Sequence, residues 1–551
     1  MSPSNERYTD LQDVRAHAIR VANEGGIEAA LDLLLELLAS ARGSNDALTA
    51  RLHTVLRTLY GRSSEKTSVE QLMLAFTALD GAVPEAALVT DADATDTPGS
   101  GDDGDADDDK PRAPARPKGH GRKPLPKHLP HESKKVAASP EERMCPACGH
   151  ARRPDGVKTT SYLEFRPASF FILDVECEQW SCSHCSEPPG VADEVALFDG
   201  GRPGPGLVSK VIVDKAADGM PIERQSKAIL REGICISPST LGEWFSWGCD
   251  QLAPLADRLF QLARSSVYLQ ADDTGLKVLD RAKKPAVKRG HLWCFVGYDA
   301  ERSPTVAFRY APSWEAEHVD DLLRGFKGVL QGDGYGGFES MATARNGGTV
   351  PTLPDERRLG CGMHIRRKFE AAFEAGDARG AIALGFFRKI YAIEDRVRLA
   401  SCDERLAARQ SESLALVDGL YAWIASLEPR RIVPGGLLAK ATTYATNQEK
   451  RWRRCFASGL YFIDNGEPER QIRYPAQGRR AYLFAGSDDG ARRLATAYTL
   501  VAACRLERIN TWEYLTDVLE KLAANWPRKR IDELLPSAWK RAREPTPVDV
   551  S

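Results

Sequence analysis

SVYLQAD (266–272), HLWCFVGYD (291–299), TVAFRY (305–310) and GVLQGD (328–333) follow one another in the middle of the chain. Each run is rich in β-branched and aromatic residues and has the length of a strand, and a helical stretch separates the third from the fourth. Three strands, a helix and a further strand predict a mixed α/β sheet. Three of the runs end in aspartate, the first and the fourth among them. Asp272, followed by Asp273, closes the first, and Asp333 closes the fourth. A carboxylate at a strand end, held by backbone on one side and open on the other, suits a hard divalent cation. The same placing also describes an ordinary solvated turn residue. Far along the chain, DNGEPER (464–470) offers a third carboxylate.

The chain around this sheet has 551 residues, and at roughly 100–200 residues per domain this implies three or more folded units. Apolar residues make up 42% and charged residues 28%, so most of the chain builds cores. Lys and Arg number 75 against 77 Asp and Glu, a net charge of -2, so only local charge can point to a partner. The N-terminus has no basic start followed by an apolar core, and no apolar run reaches the ~18 residues of a membrane span. Twelve cysteines are too sparse for a disulfide scaffold. A reducing cytoplasm is the expected compartment.

Four of those cysteines form two pairs, Cys145 with Cys148 and Cys182 with Cys185, separated by 33 residues. Four thiolates in two knuckles are the ligand set of a tetrahedral structural zinc, with no position left for water. Two unrelated redox or buried pairs would carry the same letters. The intervening SYLEFRPASFFILDVECEQW (161–180) is β-rich. In IERQSKAILREGICISPSTLGEWF (222–245), one helix ends at Gly233, and Ser237 with Pro238 opens a second carrying Leu241, Trp244 and Phe245 inward. This is helix-turn-helix grammar, which any two packed helices joined by a glycine turn share. Read as a DNA-binding unit, it presents Ser239, Thr240 and Glu243 to the bases.

The ends of the chain are helical. Leu48, Leu52, Val55 and Leu59 form one stripe, either the core of a small hairpin or a seam for self-association. Residues 91–109 hold nine aspartates and no Lys or Arg, a composition that cannot bury a core. Residues 110–135 then hold nine Lys or Arg and six prolines, with Arg122 and Lys123 in GRKP (121–124). This extended stretch is a solvated spacer or a DNA-contacting arm. After Cys361 the chain is mainly helical, and His364, Arg366, Arg367 and Lys368 form a basic helical face, solvated or set against phosphate. Near the end, Asn510 and Glu513 form a capping box before Leu515, Val518, Leu519 and Leu522.

Nine phrases, in this order, carry a resemblance: LYGRSSEK (59–66), GRKPLP with HLP (121–130), CPACG (145–149), MPIERQ (220–225), DDT (272–274), QGDGY (331–335), CGMHIRRKF (361–369), ERQIR (469–473) and LLP (534–536). Together they resemble the transposases of the insertion-sequence 66 group, over nearly the whole chain. The resemblance implies a multidomain α/β protein. A leucine-zipper-like helical region (1–88) and a disordered acidic, then basic and Pro-rich linker (89–142) would precede a zinc-binding segment (143–200) and a helix-turn-helix (201–258). A ribonuclease-H-like catalytic domain would follow (259–505), its mixed sheet interrupted by a helical insertion at about 365–460, and then C-terminal helices and tail (506–551).

The resemblance also implies an acid triad of Asp272, Asp333 and Glu469. Asp272 is preferred to Asp273 because the family's phrase is Asp-Glu-Thr, and Glu469 to Glu467 because it precedes Arg470 and Arg473, which match the family's phrase. Gly466 stands where the family has a second asparagine. The implied activity is DDE transposition: binding of element ends, then strand cleavage and strand transfer using Mg²⁺ or Mn²⁺ at the acids, with Zn²⁺ structural at the cysteines. The implied partners are double-stranded DNA of element ends and target, further copies of the chain in a homo-oligomer, and helper proteins of the same element, on the bacterial nucleoid and not at a membrane. Two other classes share parts of this pattern. A zinc-containing helix-turn-helix regulator or domesticated transposase would bind without cutting, and a ribonuclease-H-like nuclease would share the acids. Only the cutting proteins require the three acids to converge.

Overall fold

The computed structural model describes residues 19–21, 69–79, 83–88, 129–166, 169–192, 203–280, 286–342, 352–428 and 432–543. The leucine stripe at 48–59, the aspartate tract and the basic stretch 110–128, with Arg122 and Lys123, lie outside the described residues. The chain divides into two compact units, Met1–Lys110 with Gly360–Asp464, and Pro111–Leu359 with Asn465–Ser551.

The second unit begins with a small sheet. Strands β2 (Arg152–Arg166) and β3 (Ser169–Cys182) form a long antiparallel pair, β1 (His131–Val136) runs parallel to β3, and β4 (Gly190–Val191) pairs with β3 further along, at Gln179 and Trp180. The end of the basic stretch therefore departs from the expected extended linker. Residues 131–136 find the ladder positions of β3 from Ile172 to Cys177. Val136 packs on the core of Tyr162, Val175 and Cys177, which holds the segment in spite of its charge.

Helices α1 (Pro205–Ala216), α2 (Ile222–Arg231) and α3 (Pro238–Ser265) follow. The buried Glu164 carboxylate accepts the Leu207 N–H at 2.9 Å, serving one of the donors that a helix start leaves unmatched. Ser237 caps α3 by accepting from Thr240 N–H. Leu241 and Phe245 are buried and Trp244 is half-buried. The helix continues beyond residue 258 for two more turns, with Leu259 and Ala263 still buried.

Strands β5 (Tyr268–Leu279), β6 (Val287–Tyr298), β7 (Pro304–Ala311), β8 (Val329–Gln331) and β9 (Arg358–Leu359) make a five-stranded sheet of order β7-β6-β5-β8-β9. The first three pair antiparallel, and β8 is parallel to both β5 and β9. Between β7 and β8 lies α4 (Ala316–Leu323), the helical crossover that reverses the chain so that β8 pairs parallel. Leu269, Ala271, Trp293, Phe295 and Ala307 share a core with Phe260 of α3, Val319 and Leu323 of α4, and Phe338 of the short α5 (Gly336–Ser340). Helix α6 (Gly466–Tyr482) packs along β5, and α7 (Asp488–Glu507) lies against β7. There the Thr499 hydroxyl accepts the Phe308 N–H at 2.8 Å. In α8 (Thr511–Ala523), Asn510 caps by accepting the N–H groups of Trp512 and Glu513, while Glu513 accepts from the Asn510 side-chain amide and not, as a capping box requires, from its backbone; Leu515, Val518 and Leu519 are buried with Leu522 half-buried.

In the first unit, helices Gly362–Glu374, Gly380–Arg396, Leu414–Ser426 and Leu437–Arg453 bury Phe369, Phe386, Phe387, Leu420 and Trp452. The helix Val69–Ala78 and the turn Glu85–Ala87 pack on Gly380–Arg396. A Cβ at Gly385 would stand 2.1 Å from the Ala87 carbonyl, so only glycine admits this approach. Arg409 is fully buried, its guanidinium held by Glu394 at 2.6 Å and by the carbonyls of Cys455 and Ser458. The protein is thus a mixed α/β, multi-unit structure.

Candidate active site and metal centre

Strands β5 and β8 run parallel with Gln270 opposite Gln331. Asp272 stands two residues further on within β5, so the two-residue period of the strand turns it toward the face that carries the glutamines, and Asp333 stands two residues past the end of β8. Under them lies a buried polar network. Gln270 Nε2 donates to Gln331 Oε1 at 2.8 Å and to the Tyr268 hydroxyl at 3.0 Å, while Tyr298 donates to Gln270 Oε1 at 3.2 Å and Tyr268 to Gln331. Every member is buried, so a slip of β8 along β5 would strand several polar groups. The network thereby sets the relative height of the two aspartates. Beyond the strand, the Asp333 carboxylate accepts the Tyr335 N–H at 2.9 Å.

Glu469, expected as the third acid, lies on α6. Asn465, the residue before this helix, is fully buried, and its Nδ2 donates to the carbonyl of Ala271 at 2.8 Å. Ala271 is the neighbour of Asp272, so the peg fastens the start of α6 beside the first aspartate. Glu469 lies one helical turn further on. The consequence is electrostatic: the Asp272 carboxyl is held well above the usual carboxylate range, first by burial and then by the negative charges of Glu469 and Asp333, with Asp273 adding less. The Asp273 N–H, 2.8 Å from the Asp272 carboxylate, opposes this only in part. Asp272, Asp333 and Glu469, far apart in the chain, are electrostatic neighbours.

The two competing acids have partners of their own. Asp273 turns to the opposite face of β5, where His291 Nδ1 bonds its carboxylate and Trp314 Nε1 donates to it at 3.2 Å. Glu467 is bound within its own helix by Arg470 at 2.5 Å and by Gln471 at 2.7 Å.

Cys145, Cys148, Cys182 and Cys185 form a cluster whose four sulfurs all lie within 4.8 Å of one another. The two pairs interleave, with Cys145 Sγ 3.3 Å from Cys185 Sγ and Cys148 Sγ 3.2 Å from Cys182 Sγ. The long β2–β3 pair explains the meeting, because Arg152 lies opposite Cys182 and so brings the first knuckle to the second. Gly149 closes its turn at a φ of 70°, and its N–H donates to the Cys145 carbonyl at 2.8 Å. Burial raises the Cys145 thiol, yet the Cys148 N–H, the Cys185 thiol and the Ala147 N–H outweigh it and bring the group down to about 6. The rings of His150 and His184 stack at 4.1 Å beside the cluster. Four convergent thiols with N–H donors aimed at sulfur are compatible with zinc.

The other expected residues fall in three places. Ser239 and Glu243 are exposed in the first turns of α3, and Thr240 is half-buried and within 2.9 Å of the Ser237 hydroxyl. Arg470 and Arg473 are exposed on α6 and line a cavity of about 460 Å³ with Tyr474, Gln477 and Arg505. His364, Arg366 and Arg367 belong to the first unit, where Arg366 pairs with Glu370 at 3.4 Å. The glutamine–tyrosine network and the Asn465 peg were missed by sequence reasoning. Their one signal is a glutamine two positions before an aspartate in both SVYLQAD and GVLQGD.

Residues 200–493 match the family model described as Transposase IS66 family, residues 47–133 that of Transposase C of IS166 homeodomain, and residues 499–537 that of the IS66 C-terminal element. Among similar chains are the uncharacterized proteins y4hP and y4qI of Sinorhizobium fredii. The first is 29% identical over 91% of this chain and 90% of its own length, and the second 28% identical over 94% of both. The described residues contain no helix long and apolar enough to cross a membrane.

Proposed function

Since the chain belongs to the IS66 family of transposases, we propose that it is a DDE transposase that binds insertion-sequence ends and catalyses metal-dependent strand cleavage and strand transfer. The observation that carries this reading is the pairing of β5 with β8 and the Asn465 bond to Ala271, which bring the segments of Asp272, Asp333 and Glu469 together, with the Asp272 carboxyl raised accordingly. Three carboxylates in a partly desolvated place repel one another, and a divalent cation relieves that repulsion. Three carboxylates are the kind of donor that Mg²⁺ or Mn²⁺ takes, and Asp272, Asp333 and Glu469 would hold such an ion, which when bound would supply Lewis-acid stabilisation of an in-line displacement at phosphorus. The sheet order β7-β6-β5-β8-β9, antiparallel and then parallel, supports a ribonuclease-H-like core.

The protein's own groups do the positioning. Asn465 holds Glu469 to Asp272, the Gln270–Gln331 bond sets Asp333 level with Asp272, and His291 holds Asp273 away from the site. Cleavage by water leaves a 3′ hydroxyl at the element end, and strand transfer repeats the displacement with that hydroxyl as nucleophile. Exposed Arg470 and Arg473 beside Glu469 suit backbone phosphates, and Ser239, Thr240 and Glu243 suit base edges. Cys145, Cys148, Cys182 and Cys185 would hold a structural Zn²⁺.

The test uses a supercoiled plasmid carrying this coding region with its flanking DNA. Asp272→Ala, Asp333→Ala and Glu469→Ala should each abolish cleavage and leave DNA binding intact. Cleavage surviving Glu469→Ala but lost in Glu467→Ala would overturn the choice of third acid. Cleavage surviving all three would overturn the reading.

A further inference from the structure

Around the turn of α6 that carries Glu469, this helix and the last turn of α7 border a cavity of about 460 Å³. Arg470, Arg473, Tyr474 and Gln477 line it from α6, and Arg505 lines it from α7. Its one acid, Glu467, is already bonded by Arg470 and Gln471. Arg505 is half-buried. Its guanidinium lies over the Tyr474 ring, its Nη2 donates to Gln471 Oε1 at 2.9 Å, and its buried Nη1 has no hydrogen-bond partner among the described residues. Burial lowers this guanidinium from its ordinary value, against the pull of Tyr474, Cys294 and Glu467. Among the described residues, no carboxylate forms an ion pair with Arg473 or Arg505. A half-buried cation without an acid of its own is a cost that an incoming anion relieves.

The cavity lies on the acid side of the sheet. Cys294 of β6 stands opposite Asp272 of β5, and cross-strand partners turn to one face. Burial raises the Cys294 thiol, the charges of Asp272 and Glu467 raise it further, and Arg505 pulls it down. Asp272 and Arg505 thus act on one thiol from the same face.

We propose that this cavity is a phosphate site in which Arg473 and Arg505 hold a backbone phosphate of the DNA strand that enters the acid site. The proposal rests on the reading of the acids as a DNA-cleaving site, and it adds Arg505, from a different helix, to the binding surface. A strand brought to Asp272, Asp333 and Glu469 carries negative charge toward negative charge, and fixed cations about one helical turn away offset that repulsion. Arginine suits the task, because its planar fork donates two parallel bonds to phosphate oxygens. The stack on Tyr474 and the bond to Gln471 hold the Arg505 fork before a ligand arrives, so little ordering remains to be lost on binding. A phosphate contact carries no base information, so the site serves any sequence.

The test measures binding of the full-length protein to a labelled duplex from the flanks of the coding region and to a random duplex of equal length, across a salt series. Arg505→Gln should weaken binding to both duplexes alike and flatten the slope of log K against log salt by about 0.9, the contribution of one phosphate contact. Arg505→Lys, which keeps the charge, should restore the slope. Arg473 is exposed, so Arg473→Gln probes the same site without disturbing a core, and it should flatten the slope by a similar amount. A parallel arm adds inorganic phosphate alone and follows the melting temperature. Stabilisation of wild type by phosphate that Arg505→Gln abolishes, with DNA slopes unchanged, would make the cavity a site for free phosphate and overturn the backbone assignment. Unchanged slopes with no effect of phosphate overturn the site altogether and leave the transposase reading standing. Failure of wild type to bind either duplex overturns the site and the transposase reading together.

Discussion

Asn465→Asp keeps the size of the side chain and removes its donor. In the protein, Asn465 Nδ2 gives a 2.8 Å bond to the Ala271 carbonyl from a fully buried position. With aspartate, an acceptor faces that carbonyl and the acid cluster gains another negative charge. Leaving a buried polar group without its partner costs about 1–3 kcal/mol, more when the group is charged. Against a folding stability on the order of 5–15 kcal/mol, such a loss leaves the protein folded. Function should suffer more. Glu469 lies roughly 6 Å along α6 from the peg, at 1.5 Å per residue, so a tilt that breaks the bond moves Glu469 with it. A misplacement of about 1 Å in a catalytic group can cost about 100-fold in rate. Urea denaturation should therefore show a midpoint shift of this modest size, while plasmid cleavage at the same protein concentration falls about 100-fold. Asn465→Ala, which removes the donor without adding charge, should fall between. Wild-type cleavage by Asn465→Asp would refute the peg, as would a loss of activity no larger than the unfolded fraction explains.

The raised Asp272 carboxyl makes a prediction about pH without added metal. Between its ordinary value and its folded value, the folded state holds a proton that the unfolded chain has released, so stability falls as pH rises through that window. Asp272→Asn should flatten this dependence in thermal melts, and Mg²⁺ should raise the wild-type melting temperature toward its low-pH value; a pH dependence unchanged by the substitution would contradict the assignment. At the cysteine cluster, Cys145→Ser or Cys182→Ser should release a metal at one per chain and loosen the β2–β3 segment, because metal binding and local folding are coupled. Elemental analysis finding no zinc in the wild type, with both pairs as disulfides, would sink this. The basic stretch should be tested by deleting residues 110–128, leaving β1 paired with β3. Each phosphate that the shortened protein no longer neutralises should flatten the slope of log K against log salt by about 0.9; an unchanged slope makes the stretch a spacer. Substituting Thr240 and Glu243 should instead reduce discrimination between element ends and random DNA, and unchanged discrimination would move recognition elsewhere.

What the sequence determined by itself is local. The strand runs, the capped α3 and α8 and the two cysteine knuckles depend on neighbours a few residues away, and β-branching, a Ser-Pro start and Cys-x-x-Cys spacing express those neighbours directly. The family was legible too, because its phrases are spread in order along the chain. What only the tertiary structure decided is which polar groups share a buried place. Asp272 and Asp273 are adjacent and chemically alike, and the face each takes follows from the register of β5 against β6, which sets His291 beside Asp273. Glu467 is held by Arg470 and Gln471 of its own helix. Residues 131–136 carry the composition of a solvated linker, and they form a strand because β3 offers a ladder to fill. Asn465, Gln270 and Gln331 read as ordinary polar residues until the parallel pairing of β5 with β8 and the approach of α6 bury them. Once water is excluded, each must find a protein partner. That requirement joins pieces of chain nearly 200 residues apart, a distance over which sequence periodicity carries no information.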